Sequence, residues 1–442
     1  LCSVEKSLNI GLKSFFIYNS ELLNEATQPI NLKKQVKILV VSQYFWPETF
    51  IINELVQCLA AQGHQIEVVT GKPNYPEGII FEGYRASGHY TETFHDIPIH
   101  RAPLFPRGKG GKRLVLNYLS FIVNGLYHFP RFIKGKQFDV VFVFVPSPIT
   151  SVIPAIYLKW RLKAHLAVWV QDLWPESVQA TGFIQNRFLL KIIGYVVKGI
   201  YAASDTLLVQ SKVFPTLMEK YTSLEKVVYY PNSFLEPESS STHHDLPTHL
   251  LSELESYTCF VFAGNLGTAQ ALETIINAAE RMSHLTQCKI LLIGSGSMSD
   301  WLLLQIAQRK IKNILIPGRF PAVVMPIIFS KAAALLVTLK KDELFSYTIP
   351  SKVQAYLAAG RPILAALDGE GARIVQEAQA GLVSPAEDAD ALAKNMEKLY
   401  YMPISEREKL GRAARAFFLE HFEMTTQSRR LIEIFNNKIK KR

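Results

Sequence analysis

Cysteine is scarce in this chain, with four residues in 442, at positions 2, 58, 259 and 288. No two are close enough in sequence for a zinc site or a redox pair, so they read as free thiols in a reducing compartment rather than as a disulfide framework. Charge is also modest: 19% charged residues against 48% apolar ones is a globular composition, which excludes a disordered polyelectrolyte. No apolar run is long and clean enough to span a bilayer. The nearest candidate, Leu8 to Tyr18, is short and carries Lys13. Residues 1–35 show no signal-peptide cleavage pattern and are left unassigned. The G-x-G-x-x-G string is missing, which argues against a dinucleotide-dependent dehydrogenase. His243-His244 has no partners at ligand spacing, so it reads as solvated linker and no metal centre is expected.

What the chain does have is length and a positive excess. At 442 residues it is long for one core, so two domains are the default. A net charge of +10 suits nucleotide phosphates, an anionic membrane surface or nucleic acid, and no nucleic-acid-binding module is recognisable.

The first half reads as strands whose ends open into polar loops. Lys37 to Ser42 is a short β-branched run, hence a buried strand. Gln43-Tyr-Phe-Trp-Pro-Glu48-Thr49 follows as a loop, then a helix with Ile51, Ile52, Leu55, Val56 and Leu59 on one face, then a strand from Gln65 to Thr70. Glu48 either starts that helix or faces a substrate. A second turn-rich loop holds Asn74 and Tyr75. Phe138 to Val145 and His165 to Val170 are further strands. The latter ends in Gln171-Asp172-Leu-Trp174-Pro-Glu176-Ser, where Asp172 and Glu176 either bind an acceptor or cap a helix. A basic run, Arg107 to Arg113, precedes the apolar, aromatic segment from Leu114 to Phe132. Leu189 to Tyr201 is a second apolar helix with spaced lysines. Each is either a membrane-surface patch or a core helix beside solvent.

Residues 233–256 are polar and turn-rich, as a hinge should be. Beyond them the layout of strand, glycine turn and helix repeats at Gly264-Asn265-Leu266-Gly267, at Gly294 and Gly296, and at Arg319. Such turns can cradle a phosphate with backbone N–H groups, although tight βα turns need glycine for geometry anyway. The stretch from Tyr347 to Leu364 is the most informative. Pro350 biases its neighbourhood toward extended backbone, Ser351 is a good N-cap, and Gly360-Arg-Pro stops the helix. Lys352 therefore sits in the first helical turn, where the free N–H groups favour an anion. It is either a solvent-facing lysine or a phosphate clamp. Gly369-Glu370-Gly371-Ala-Arg373 forms another loop before a helix.

These strings resemble those of a GT-B glycosyltransferase of the large retaining family 4, closest to the fucosamine-transferase-like branch that builds bacterial surface polysaccharides. The resemblance implies an α/β fold with two Rossmann-like domains facing across a cleft. The expected boundaries are an acceptor-side domain over 36–232, a linker over 233–256, a nucleotide-sugar domain over 257–412, and a helical tail over 413–442 that packs back on the first domain. It implies transfer of a hexose derivative, an N-acetylated amino sugar, from a UDP-sugar to a lipid-linked or oligosaccharide acceptor. Transfer would proceed with retention, without a cofactor or required metal, in the cytoplasm at the inner-leaflet surface. Lys352 matches the family's basic residue on the diphosphate, with Asn265 and Arg373 carrying further catalytic roles. Gly264, Leu266, Gly267, Gln270, Gly294, Gly296, Arg319, Pro350, Ser351, Gly369, Glu370 and Gly371 match donor-side positions. Glu48, Asn74, Tyr75, Asp172, Trp174 and Glu176 are acceptor-side. The chain departs from the family at two places: Tyr347 and Ala355 stand where many members carry glutamates, and Asn265 and Gln270 replace an arginine and a lysine. A sugar-nucleotide epimerase of the same architecture, or a binding homologue with weakened catalysis, is the alternative.

Overall fold

Strands rich in Val, Ile, Leu and Phe, with both faces buried, are the signature of parallel sheets covered by helices, and two such sheets carry this chain. The computed structural model describes residues 35–180, 182, 184–237 and 246–440. Residues 1–34, Cys2 among them, and the pair His243-His244 lie outside the described residues.

The first sheet contains β1 (Lys37–Ser42), β2 (Gln65–Thr70), β3 (Tyr90–Phe94), β4 (Ile97–Arg101), β5 (Val140–Val145), β6 (His165–Val170), β7 (Thr206–Val209) and β8 (Val227–Tyr229). Their spatial order is β3-β4-β2-β1-β5-β6-β7-β8, and only the β3–β4 pair is antiparallel. The second sheet contains β9 (Thr258–Ala263), β10 (Cys288–Ile293), β11 (Ile314–Gly318), β12 (Ala334–Thr338), β13 (Ile363–Ala366) and β14 (Gly381–Ser384), ordered β11-β10-β9-β12-β13-β14 and wholly parallel. In a doubly wound sheet the strand order reverses once, and the loops at the carboxyl ends of the strands beside that reversal splay apart to leave a crevice. The reversal lies between β1 and β5 in the first sheet and between β9 and β12 in the second.

Packing shifts two of the expected boundaries. Thr248–Ser256 is a helix whose Leu250 and Leu254 are buried in the second core, so the hinge ends before it. The Ile404–His421 helix also belongs to that core, through Ala414 and Phe418, so a boundary at 413 would cut it. The chain turns at Phe422, and Glu423 caps the last helix, Met424–Ile439, by accepting from the N–H groups of Thr425 and Thr426. That helix lies on the first sheet. Phe435 meets Phe142 edge-on at 5.6 Å, and the Tyr230 hydroxyl donates to the Gln427 carbonyl at 3.2 Å.

Candidate active site

The site begins with two turns that touch. β9 runs into Gly264 and β10 into Gly294, with φ of +136° and +141°, where a side chain would be strained. A Cβ on Gly294 would fall 1.8 Å from the Gly264 carbonyl oxygen, and one on Gly264 would fall 2.7 Å from Cε of Lys352. Glycine thus lets the two backbones meet and lets the lysine stem lie across the first turn. The Leu266 N–H donates to the Ser295 carbonyl at 3.0 Å, tying the turns together further.

Lys352 is the second residue of the Ser351–Ala358 helix. Pro350, extended at φ −61° and ψ 135°, is the N-cap, and Ser351 is the first helical residue rather than the cap expected of it. Lys352 Nζ donates to Gln270 Oε1 at 2.5 Å and lies 4.7 Å from the centre of the Phe262 ring. Burial pulls its pKa from the usual 10.5 down to about 8. No carboxylate pairs with it among the described residues. A desolvated ammonium at the positive end of a helix, facing glycine turns, is a site arranged for an anion.

A cavity of about 1020 Å³ opens at this point. Of the residues singled out from the sequence, the structure brings Gly264, Asn265, Gly294, Gly296, Arg319, Ser351 and Lys352 to its wall. Leu266 is buried beneath it, Gly267 lies against the Asn265 side chain, and Gln270 reaches it only through Lys352. Ala355 lines the wall, so that stretch of the helix presents a methyl group. Tyr347 instead donates to Glu343 and packs on the first core.

Arg373 is not at this wall, and neither are Gly369, Glu370 and Gly371. Glu370, 2% exposed, accepts from Arg373 Nε at 2.7 Å and Nη2 at 3.0 Å, and its Oε2 also accepts from the Lys212 N–H of the other half at 3.0 Å. Lys212 Nζ reaches Glu377 at 3.3 Å. Gly369 and Gly371 press against Ser346 and Pro350. The reason is local: Arg373 is the fifth residue of the Gly369–Glu377 helix, with carboxylates three residues before it and four after it, so it is neutralised within its own helix. This group ties the two halves together. It does not supply free positive charge, which corrects the catalytic role expected of Arg373.

Across the cleft, Glu48 turns inward. Its Oε1 accepts from the N–H groups of Asn74 and Tyr75, both at 2.7 Å, and its Oε2 from that of Phe45 at 3.1 Å. Burial lifts its pKa to about 7, although those three N–H groups pull the other way. Glu48 is 2% exposed and holds two loops together rather than starting the helix, and its oxygens are occupied by backbone N–H groups rather than turned to a substrate. Asn74 is fully buried and accepts from the Arg107 N–H at 2.9 Å. Tyr75, 36% exposed, stacks obliquely on Tyr44 at 5.4 Å with the Arg107 guanidinium 5.3 Å from its ring. Glu176 is taken up by Lys220 at 2.5 Å and Tyr221 at 3.0 Å, and Trp174 packs on the first core. Asp172 differs. Water reaches its side chain, yet the protein crowding around it lifts its pKa to about 6. Tyr118 feels its charge and that of Arg107. Arg107 and Tyr118 are not among the acceptor-side residues read from the sequence. Arg107 opens a basic run that reads as a membrane-surface feature, and Tyr118 is one aromatic residue among many on a long helix. The described residues hold no cluster of His, Cys, Asp and Glu able to bind a metal.

Two family models match the chain: "Glycosyl transferase 4-like domain" over residues 49–232 and "Glycosyl transferases group 1" over residues 252–417. A probable glycosyltransferase of Pseudomonas aeruginosa, WbjE, is 25% identical over 327 residues, 72% of this chain and 79% of the relative. The putative colanic acid biosynthesis glycosyl transferase WcaI of Escherichia coli K12 is 23% identical over 351 residues, 74% of this chain and 82% of the relative. A glycosyltransferase structure from Rickettsia africae superposes with a TM-score of 0.63 at 15% identity, covering 92% of this chain and all of that one. At that identity the likeness shows a shared fold.

Proposed function

Because the chain belongs to the group 1, family 4 glycosyltransferases with the GT-B fold, we propose that it moves a hexose derivative, an N-acetylated amino sugar, from a UDP-sugar to a lipid-linked or glycan acceptor in surface-polysaccharide synthesis. Transfer retains the anomeric configuration. The observation that carries the donor half is Lys352, a desolvated cation without a carboxylate partner among the described residues, set at a helix N-terminus against two glycine turns. The name of one relative, a putative colanic acid biosynthesis glycosyl transferase, supports the polysaccharide setting.

The transition state of such a transfer resembles an oxocarbenium ion leaving a diphosphate. The enzyme's task is to hold the charge that develops on the leaving oxygen, and groups fixed in place do so without reorganising. Lys352, Arg319 and the N–H groups at the start of the Ser351–Ala358 helix supply that positive field. In the first half of the chain, Asp172, with a pKa near 6, is largely ionised at neutral pH and more basic than an ordinary carboxylate. It orients the acceptor hydroxyl, with Tyr75 and Arg107 beside the acceptor sugar.

The acceptor half gains support from one face of the first sheet. The Gly111–Phe132 helix exposes Leu119, Val123 and Tyr127, the Arg187–Ala203 helix exposes Phe188, Ile192 and Tyr195, and Trp160 projects between them at 77% exposure. Lys112, Arg113, Arg131, Lys134, Lys191 and Lys198 are exposed around this apolar surface. Apolar residues ringed by cations suit an anionic leaflet, where each cation contributes about 1 kcal/mol. No helix among the described residues is long and apolar enough to cross a membrane.

The test is a UDP-release screen of several UDP-sugars against lipid-linked monosaccharides. Release that requires both substrates supports the proposal. An altered nucleotide sugar formed without acceptor, or binding without release for every acceptor, overturns it.

A further inference from the structure

We propose that Glu236, on the segment joining the two halves, holds the ribose diol of the donor nucleotide. This rests on the donor reading above and adds a residue to it. Among the described residues, three charged side chains line the cavity: Lys352, Arg319 and Glu236. The two cations suit phosphate. A carboxylate repels phosphate, so its place in the same cavity calls for a different part of the ligand, and a pair of neighbouring hydroxyl groups is the part of a nucleotide that a carboxylate binds well.

The placement fits. Arg415, from the Ile404–His421 helix, donates from Nη1 to both Glu236 oxygens at 2.7 Å and to the Ala358 carbonyl at 2.8 Å. This fixes the carboxylate beside the far end of the helix that presents Lys352 at its near end. Residues 352 and 358 are separated by about 9 Å along the helix axis, at roughly 1.5 Å per residue. Between the two ends the wall is formed by Ala355, Tyr356, Ala358 and Ala359; the alanines have no side-chain hydrogen-bonding group, and the Tyr356 hydroxyl is taken up by the Ala263 backbone, accepting from its N–H at 2.9 Å. A ligand whose phosphates rest on Lys352 therefore meets, along this helix, methyl groups and a tyrosine already engaged by backbone until it reaches Glu236. Arg415 uses one lone pair on each oxygen, and the carboxylate keeps others for two O–H donors. A half-exposed ion pair adds little to stability, so the Glu236–Arg415 pair is better explained as positioning for the ligand than as a fold contact.

The test is calorimetric titration of UDP and 2′-deoxy-UDP into the full chain and into Glu236→Ala, Glu236→Gln and Arg415→Ala, with circular dichroism and thermal melts to establish folding. The wild type should prefer UDP over 2′-deoxy-UDP by about tenfold, the value of one hydrogen bond to a charged group. Glu236→Ala should abolish that preference, weakening UDP by more than 2′-deoxy-UDP, which loses only its 3′-hydroxyl contact. Glu236→Gln should keep part of it. Arg415→Ala, with Glu236 present but unheld, should lose most of it. If Glu236→Ala changes both nucleotides equally, or changes neither, the inference falls while the donor reading stands. If the folded wild type binds no UDP at all, the donor reading itself falls.

Discussion

Removing the ammonium at position 352 separates its cost to the fold from its use in catalysis. Burial sets the Lys352 pKa near 8 instead of 10.5, so the cavity disfavours the cation by about 3 kcal/mol. A bound diphosphate reverses this by accepting charge-assisted hydrogen bonds of about 1.5–3 kcal/mol each. The share that strengthens as the leaving oxygen gains charge resembles that of a single preorganised donor, about 10²–10³ in turnover. Lys352→Ala should therefore lower kcat by about 10²–10³, with a smaller change in KM for the donor. It should not lower Tm, because the desolvated cation has gone. The unfolded lysine ionises near 10.5 and the folded one near 8, so between those pH values the unfolded chain holds the extra proton. Wild-type stability should then gain from this group as pH rises through that window, and the variant should lack that gain. By the same shift, wild-type kcat/KM should fall above about pH 8, and Lys352→Arg should move the fall upward. The assays are steady-state UDP release and thermal melts from pH 7 to 10. A folded Lys352→Ala protein within tenfold of wild-type kcat would refute the reasoning.

Four other outcomes follow from the geometry. Glu48→Ala leaves the N–H groups of Phe45, Asn74 and Tyr75 without their acceptor, and at about 1–3 kcal/mol per buried unpaired donor it should cost 3 kcal/mol or more in a urea melt. Asp172→Asn should lower kcat/KM for the acceptor by about 10² and remove the acid limb near pH 6 from the pH profile, leaving UDP affinity unchanged by calorimetry. Arg373→Ala should leave UDP affinity within threefold of wild type but lower stability by about 2 kcal/mol, since Glu370 keeps its burial and loses its cation. The double change Leu119→Glu, Val123→Glu should abolish flotation with phosphatidylglycerol vesicles without altering UDP binding, and flotation equal to wild type would remove the membrane role of that face.

Much of this molecule is written locally in its sequence. β-branched runs such as Lys37–Ser42 and Val140–Val145 announce buried parallel strands, because period and burial are properties of a few neighbouring residues. Pro350 and Gly360 bracket the helix that carries Lys352 for the same reason. The two-unit α/β class and the glycine turns at Gly264 and Gly294 follow from such short-range rules, and the motif strings point to the family. Partners distant in sequence do not. Lys352 and Arg373 are both basic residues near the starts of helices. Only the packing decides that one helix aims its N-terminus at the glycine turns while the other meets Ser346 and the opposite half. Glu48 looks like a helix-starting acid until Asn74 and Tyr75 come within hydrogen-bonding distance. Glu236 looks like linker until Arg415, 179 residues later, fixes it at the cavity. Charges are neutralised, buried or aimed by whatever the fold brings within a few ångströms, so residue type and spacing nominate the site, and tertiary contact decides which of the nominated groups remain free to act.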